Sequence, residues 1–160
     1  MRLQIAAIGA KPGASESTLI TDYVKRANTI GRNIGFSGPD ISALEAPRSL
    51  SGAKRQEREG ALLLGVAPPN ANLVALDERG QNLSSEKLAA IIANWRDDGV
   101  GHTTFAIGGA DGHDQSVLDR AAIRLSFGAL TWPHMLVRVM LAEQLYRVMT
   151  ILSGHPYHRS

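Results

Sequence analysis

The chain ends on His155-Pro156-Tyr157-His158-Arg159-Ser160, which places two imidazoles, a phenol and a guanidinium within six positions. Imidazole titrates near neutral pH and can take or give a proton. A phenol can stack and hydrogen-bond, and a guanidinium can hold phosphate or a developing oxyanion. Chain ends more often carry solvated polar residues. Here the cluster follows a long apolar segment directly and is stiffened by Pro156, as a catalytic or ligand-reading element would be.

Three more segments could meet a ligand. Leu76-Asp77-Glu78-Arg79-Gly80, Gly108-Gly109-Ala110-Asp111-Gly112 and Gly128-Ala129-Leu130-Thr131-Trp132-Pro133-His134 each lie at the end of an apolar run. The Gly108–Gly112 stretch is either a tight turn or a place where backbone approaches a ligand closely. It carries neither the GxGxxG fingerprint nor a GxxxxGK[ST] phosphate loop. Asp111, His113 and Asp114 match no standard ligand spacing, so no metal is expected. Gly128 inside an apolar run marks a bulge or a backbone contact. Pro133 suits a first helical turn. Trp132 is either core or a ligand wall, and an apolar loop with free backbone amides suits an adenine ring.

The elements that must position these residues alternate regularly. Strands are expected at Leu3–Ile8, Asp40–Leu44, Asn72–Leu76, Thr103–Ile107 and Leu125–Leu130. Helices are expected from Ser15 to about Ile30, with Ser15 as N-cap, and at Ser51–Val66. Three more are expected from Ser84 to about Arg96, from Asp114 to about Arg124, and from Pro133 to Ser153 with Gly154 as C-cap. Five alternations argue for an α/β fold with a mostly parallel sheet, and ligands then bind beyond the carboxyl ends of the strands. The last helix is apolar nearly all round, so it must be covered on more than one side, and a symmetric dimer is a natural cover. Glu143 and Arg147, at i,i+4 on its polar stripe, are expected to form a surface ion pair. Lys54-Arg55-Gln56-Glu57-Arg58-Glu59 reads as a solvated helix face.

The chain has 160 residues, 44% hydrophobic and 20% charged, which is the size and composition of one globular domain spanning residues 1–160. No apolar run is long enough to span a membrane, and Met1-Arg2-Leu3-Gln4-Ile5 has no signal-peptide anatomy. With no cysteine there is neither a disulfide framework nor a thiolate metal site. A cytoplasmic protein is expected. A net charge of +2 does not mark a strong binder of free nucleic acid.

Several runs resemble one family closely. Thr131-Trp132-Pro133-His134-Met135-Leu136-Val137-Arg138-Val139 is similar to its LPHxLVRV segment, Ala142–Arg147 to its AEQLYRA, and His155–Arg159 to its HPYHR ending. Together with Ile107-Gly108-Gly109 and Leu3-Gln4-Ile5, they identify the chain as a member of the large-subunit ribosomal RNA methyltransferase H family, of the SPOUT class. The resemblance implies a mostly parallel sheet flanked by helices with a C-terminal deep trefoil knot, a rare exception to unknotted topology. It implies S-adenosylmethionine as cofactor, a homodimer, and methylation of N3 of a pseudouridine in the intersubunit-bridge hairpin of 23S rRNA, on the assembled ribosome.

Carried over by motif, the cofactor contacts would be Leu76, Gly108, Gly128, Ala129, Leu130, Thr131, Trp132 and Pro133. Two departures stand out. The family's GGPEG is here Gly108-Gly109-Ala110-Asp111-Gly112, with a shorter acid. Its SALTLPH is here Phe127-Gly128-Ala129-Leu130-Thr131-Trp132-Pro133-His134. Many loop contacts should be main-chain, so cofactor binding is expected to survive both.

N3 becomes nucleophilic only as its imide proton leaves, so a base or an imidate-stabilising group is needed. His158 is the candidate base, Tyr157 a stacking or hydrogen-bonding group, and Arg159 or Arg147 the holder of phosphate or oxyanion. The tail is expected to meet the transferable methyl, within one chain or across a dimer. Two other readings remain: a knotted cofactor-binding, ribosome-associated protein without transfer activity, and a SPOUT methyltransferase acting on another RNA.

Overall fold

The computed structural model describes residues 1–9, 13–47 and 49–158. In chain order the elements are β1 (Arg2–Ile8), α1 (Ser15–Gly31), β2 (Ser37–Leu44), α2 (Gly52–Val66), β3 (Asn72–Asn82), α3 (Ser85–Asp97), β4 (His102–Ile107), α4 (Gln115–Arg120), β5 (Ile123–Ser126) and α5 (His134–Ser153). A short 3-10 turn, Arg32–Ile34, follows α1. The strands form one sheet in the order β2-β1-β4-β3-β5, and every pairing is parallel. The expected α/β architecture is therefore present.

Side chains along each strand alternate between two apolar layers, as the period of two requires. Leu3, Ile5 and Ala7 face one way, into a core with Ile20 and Ala27 of α1, Leu88 and Ile92 of α3, and Leu141, Leu145 and Met149 of α5. Ala6 and Ile8 face the other, toward Leu63 of α2 and Val117 of α4. Helix α5 begins at His134, one residue later than expected, and Pro133 at its N-cap offers no side-chain bond, so packing holds it. Burying each of Leu141, Leu145 and Met149, all at 0% exposure, contributes about 1.5–3 kcal/mol, whereas a cap contributes about 1.

The last helix is covered on two sides within its own chain, by α1 and α3. Its N-terminal end is less well covered, and Leu130, Trp132 and Leu136 stay exposed there. Gly154 ends it in the left-handed conformation expected of a C-cap, with its N–H bonded to Ile151 O.

Several boundaries differ from expectation. Ser15 is the first residue of α1 rather than its cap; Ala14 holds that position and offers no side-chain bond. Strand β2 starts three residues early, at Ser37, whose N–H bonds Met1 O. Helix α4 ends at Arg120 instead of Arg124, and β5 runs from Ile123 to Ser126 instead of Leu125–Leu130. The cause is tertiary. The Arg120 guanidinium donates to the carbonyls of Pro68, Pro69 and Ala71, and Ala122 N–H bonds Leu73 O, which draws the chain onto the edge of β3.

Strand β3 also continues past the expected end at Asp77. Leu76 and Gln81 both align with Leu125 on β5, so residues 77–80 bulge out of the ladder between them. A bulge of this kind redirects side chains at a sheet edge.

Candidate active site

The bulge, the glycine loop after β4 and the loop after β5 converge beyond the carboxyl ends of their strands. Between them lies a cavity of about 460 Å³. Its walls come from Leu76–Arg79, Gly109–His113 and the 127–132 loop, with Val137 from α5. Leu125, Phe127, Leu130 and Trp132 supply apolar surface, Asp77, Glu78 and Asp111 supply negative charge, and Arg79, 3.9 Å from Glu78, supplies one positive charge.

Local bonds fix each wall. Asp77 Oδ1 accepts the Arg79 N–H at 2.7 Å, which folds the bulge on itself. The Ser126 hydroxyl donates to Glu78 O at 3.1 Å and accepts the Gly128 N–H at 3.1 Å, tying the β5 loop to the bulge. Gly128 adopts φ 108, a conformation that other residues rarely take. The Trp132 indole N–H donates to Phe127 O at 3.3 Å and closes that loop, leaving the ring at the cavity rim rather than in the core.

The glycine loop is held from outside by α2, so the run Lys54–Glu59 is not simply a solvated face. Arg55 Nε donates to Asp111 Oδ2 at 2.8 Å, Gln56 donates to Asp111 O, and Glu59 is buried against Gly109. Asp111 is thus paired, and its charge at the cavity edge is partly offset. His113 turns inward and donates Nε2–H to Leu76 O at 3.1 Å. Burial pushes its pKa down despite the nearby Asp77 carboxylate, so it is a neutral imidazole. Asp114 accepts the Ser116 N–H at 2.9 Å as the cap of α4. Asp111, His113 and Asp114 therefore do three separate jobs, and among the described residues no three His, Cys, Asp or Glu side chains gather as a metal would need.

Of the residues expected at the cofactor, Leu76, Gly128, Leu130, Thr131 and Trp132 line this cavity. Gly108, Ala129 and Pro133 sit in the same loops without forming its wall. Gln56, His113 and Val137 are wall residues that were not expected at the cofactor, although Val137 lies in a quoted motif and His113 was weighed as a metal ligand; Gln56 is brought there by tertiary packing alone.

The tail residues gather elsewhere in the same chain. The Tyr157 hydroxyl donates to Glu143 Oε1 at 3.1 Å, and its ring packs against Tyr146 with centroids 4.6 Å apart. Arg147 lies over the Tyr157 ring at 5.0 Å and donates Nε–H to Glu143 Oε1 at 3.0 Å. His158 Nε2 lies 2.8 Å from Glu86 Oε1 on α3, and its Nδ1 faces Arg147 at 3.5 Å. These contacts fit an imidazole protonated on Nε2. Glu143 and Arg147, at 16% and 27% side-chain exposure, are the centre of a half-buried cluster and not the surface pair expected. Burial, reinforced by the Glu143 charge, pushes the Tyr157 pKa up to about 12, so it is a neutral donor.

None of Arg147, Tyr157 and His158 lines the cavity of its own chain. Glu143 and Arg147 lie about 14 and 20 Å along α5 from His134, where that helix leaves the cavity. The Glu143–Arg147 cluster instead ties the tail to its own helices. Arg159 lies outside the described residues.

A family model described as "Predicted SPOUT methyltransferase" matches residues 1–158. Proteins named "Ribosomal RNA large subunit methyltransferase H" are similar over the whole length. The one from Hyphomonas neptunium (strain ATCC 15444) is 48% identical over 160 residues, covering 100% of both chains. The one from Bradyrhizobium sp. (strain ORS 278) is 46% identical over 160 residues, covering 100% of this chain and 99% of its own.

Proposed function

The chain belongs to the SPOUT methyltransferase family, and from that premise we propose that it transfers the methyl group of S-adenosylmethionine to N3 of a pseudouridine in 23S rRNA. The observation that carries the reading is the cavity beyond β3, β4 and β5, apolar on one side and acidic at its edge. A nucleoside with a cationic sulfonium needs both: apolar walls for adenine, carboxylates for ribose hydroxyls and positive charge. Leu76, Phe127, Leu130 and Trp132 would enclose the base, and Asp77 and Glu78 would face the polar end. The cofactor supplies the electrophilic methyl. The deep trefoil knot, the single domain over residues 1–160 and a cytoplasmic setting belong to the same reading. Among the described residues no helix is long and apolar enough to cross a membrane.

Within the protein, the walls position the reactants and exclude water, which can account for much of such a rate. Removing the N3 proton needs a further group, for which His158 is the candidate. Tyr157, a neutral donor, would bind or stack on the pyrimidine, and Arg147 or Arg159 would face phosphate or the imidate oxygen. Because the tail clusters away from its own cavity, we place it at the cavity of a second copy in a homodimer. The exposed Leu130, Trp132 and Leu136 beside the cavity supply apolar surface for that contact. A +2 chain has little charge with which to grip free RNA, which favours a substrate presented by the assembled ribosome.

Mass spectrometry of 23S rRNA from cells with and without the protein tests the reaction. A methylated pseudouridine present only with the protein is the expected result, and identical spectra would reject it. Mixing a tail-truncated subunit with a Gly128 variant tests the shared site. Recovery of part of the activity is expected, whereas no recovery would mean that each site is built from one chain.

A further inference from the structure

Behind the cavity wall lies an acid that the proposed reaction does not use. Glu59 is 5% exposed, sits in the middle of α2, and its Oε2 has no hydrogen-bond partner. Its carboxyl packs directly against Gly109. A Cβ on Gly109 would stand 2.8 Å from both Glu59 Cδ and Oε1, closer than real contacts allow. The Gly109 amide faces the carboxyl and favours its charged form, as does Arg55. Burial and the charge of Asp111 act the other way, burial most strongly, and the net effect holds the pKa above the usual carboxylate range.

Burying such a group costs free energy that ordinary surface placement would avoid. The neighbours show what its position achieves. Glu59 is four residues from Arg55 and three from Gln56, the spacings that make side chains neighbours on one face of α2. All three grip the same loop: Arg55 at the Asp111 carboxylate, Gln56 at the Asp111 carbonyl, Glu59 at Gly109. The following residue, Gly60, lets α2 come close to the α4 cap, since a Cβ there would lie 2.9 Å from Asp114 Cβ. Only Gln56 of these α2 residues reaches the cavity itself.

We propose that Glu59 is a positioning residue: its carboxyl, seated behind Gly109, fixes the Gly108–Gly112 loop at the place where that loop walls the cavity. Glycine is needed at 109 because the carboxyl occupies the space of its Cβ. The binding consequence rests on the cofactor reading above; the loop geometry does not.

Two measurements test it, amide hydrogen exchange at Gly109 and calorimetric binding of S-adenosylmethionine. Glu59→Leu, which keeps bulk and removes the acceptor, should speed Gly109 exchange and weaken binding about tenfold, the effect of one lost buried partner. Glu59→Gln keeps an acceptor and should restore both to within about threefold. Gly109→Ala should weaken binding at least about tenfold in the native background, yet add little once Glu59→Ala has removed the side chain it meets. Unchanged Gly109 exchange in Glu59→Leu, or an equal Gly109→Ala penalty in both backgrounds, would overturn the proposal. Native protein that binds no S-adenosylmethionine would instead refute the cofactor reading, and the exchange data would still decide on Glu59.

Discussion

Tyr157 donates its hydroxyl to Glu143 at 3.1 Å and thereby fastens the tail to the helix that precedes it. The bond is one of several in the cluster, since Arg147 also pairs with Glu143 and covers the Tyr157 ring. Tyr157→Phe removes the bond and keeps the ring packing, at a cost of about 0.5–1.5 kcal/mol. Faster amide exchange at residues 155–158 with an unchanged core is the expected result.

His158 carries the proposed proton transfer. His158→Ala should lower the rate of methyl transfer by about 10²–10⁴-fold while cofactor affinity stays within about twofold. Single-turnover kinetics alongside calorimetry separate the two effects. Full activity would remove His158 from the chemistry.

Arg138 is buried at 6% exposure and donates to Ile8 O at 2.6 Å and to Gly9 O, with His134 Nε2 also in contact. Burial depresses its pKa, and no carboxylate acts against that. Its work is to satisfy carbonyls at the end of β1 and to hold the start of α5 over them. Arg138→Met leaves those carbonyls unpaired and should cost about 2–4 kcal/mol, a fall in Tm of roughly 5–15 °C by thermal melting.

Gly128 has φ 108 and open space around the position of a Cβ, so Gly128→Ala meets strain without a clash. The strain, about 1–3 kcal/mol, is relieved by moving the loop. S-adenosylmethionine affinity should fall about tenfold with a Tm change below about 4 °C. Unaltered affinity would show that the 127–133 loop is not part of the binding wall.

His113 makes stability depend on pH. Its folded pKa lies below the ordinary value of about 6.5 because burial disfavours the cation. Well above pH ~6.5 it is neutral in both states and its contribution is complete. As pH falls through that value the unfolded chain takes up the proton first, so stability drops. The Tm should therefore decline between pH 7 and 5.5, and His113→Gln, which keeps a donor for Leu76 O, should flatten part of that slope. His102, also depressed by burial, accounts for a share that this substitution leaves in place.

The strands and most helices were legible because their signals are periodic: Leu3–Ile8 and Thr103–Ile107 are short apolar runs, and Gly154 is a local stop. The α4–β5 boundary was not, because Arg120 sets it by gripping carbonyls some fifty residues earlier. The glycine and Gly128 loops were legible from their odd residues at strand ends. Glu59 was hidden in a charge run that reads as surface, since its burial is fixed by the missing side chain at Gly109. The tail was recognisable as chemistry-bearing, and the Glu143–Arg147 pair was legible from its i,i+4 spacing, but the tail's location also depends on Glu86 of α3, which no spacing links to it.

The arrangement of the larger core has a consequence in time. Leu3 and Ile5, made first, are covered in part by Leu141, Leu145 and Met149, made last. At about 5–20 residues per second, synthesis leaves β1 without that cover for on the order of 10 s. A nascent chain in this state can cover the inner face of β1 with Ile20 and Ala27 of α1 and Leu88 and Ile92 of α3, but the part that α5 closes stays bare. Chaperone engagement of the unfinished chain should therefore raise the yield of folded protein.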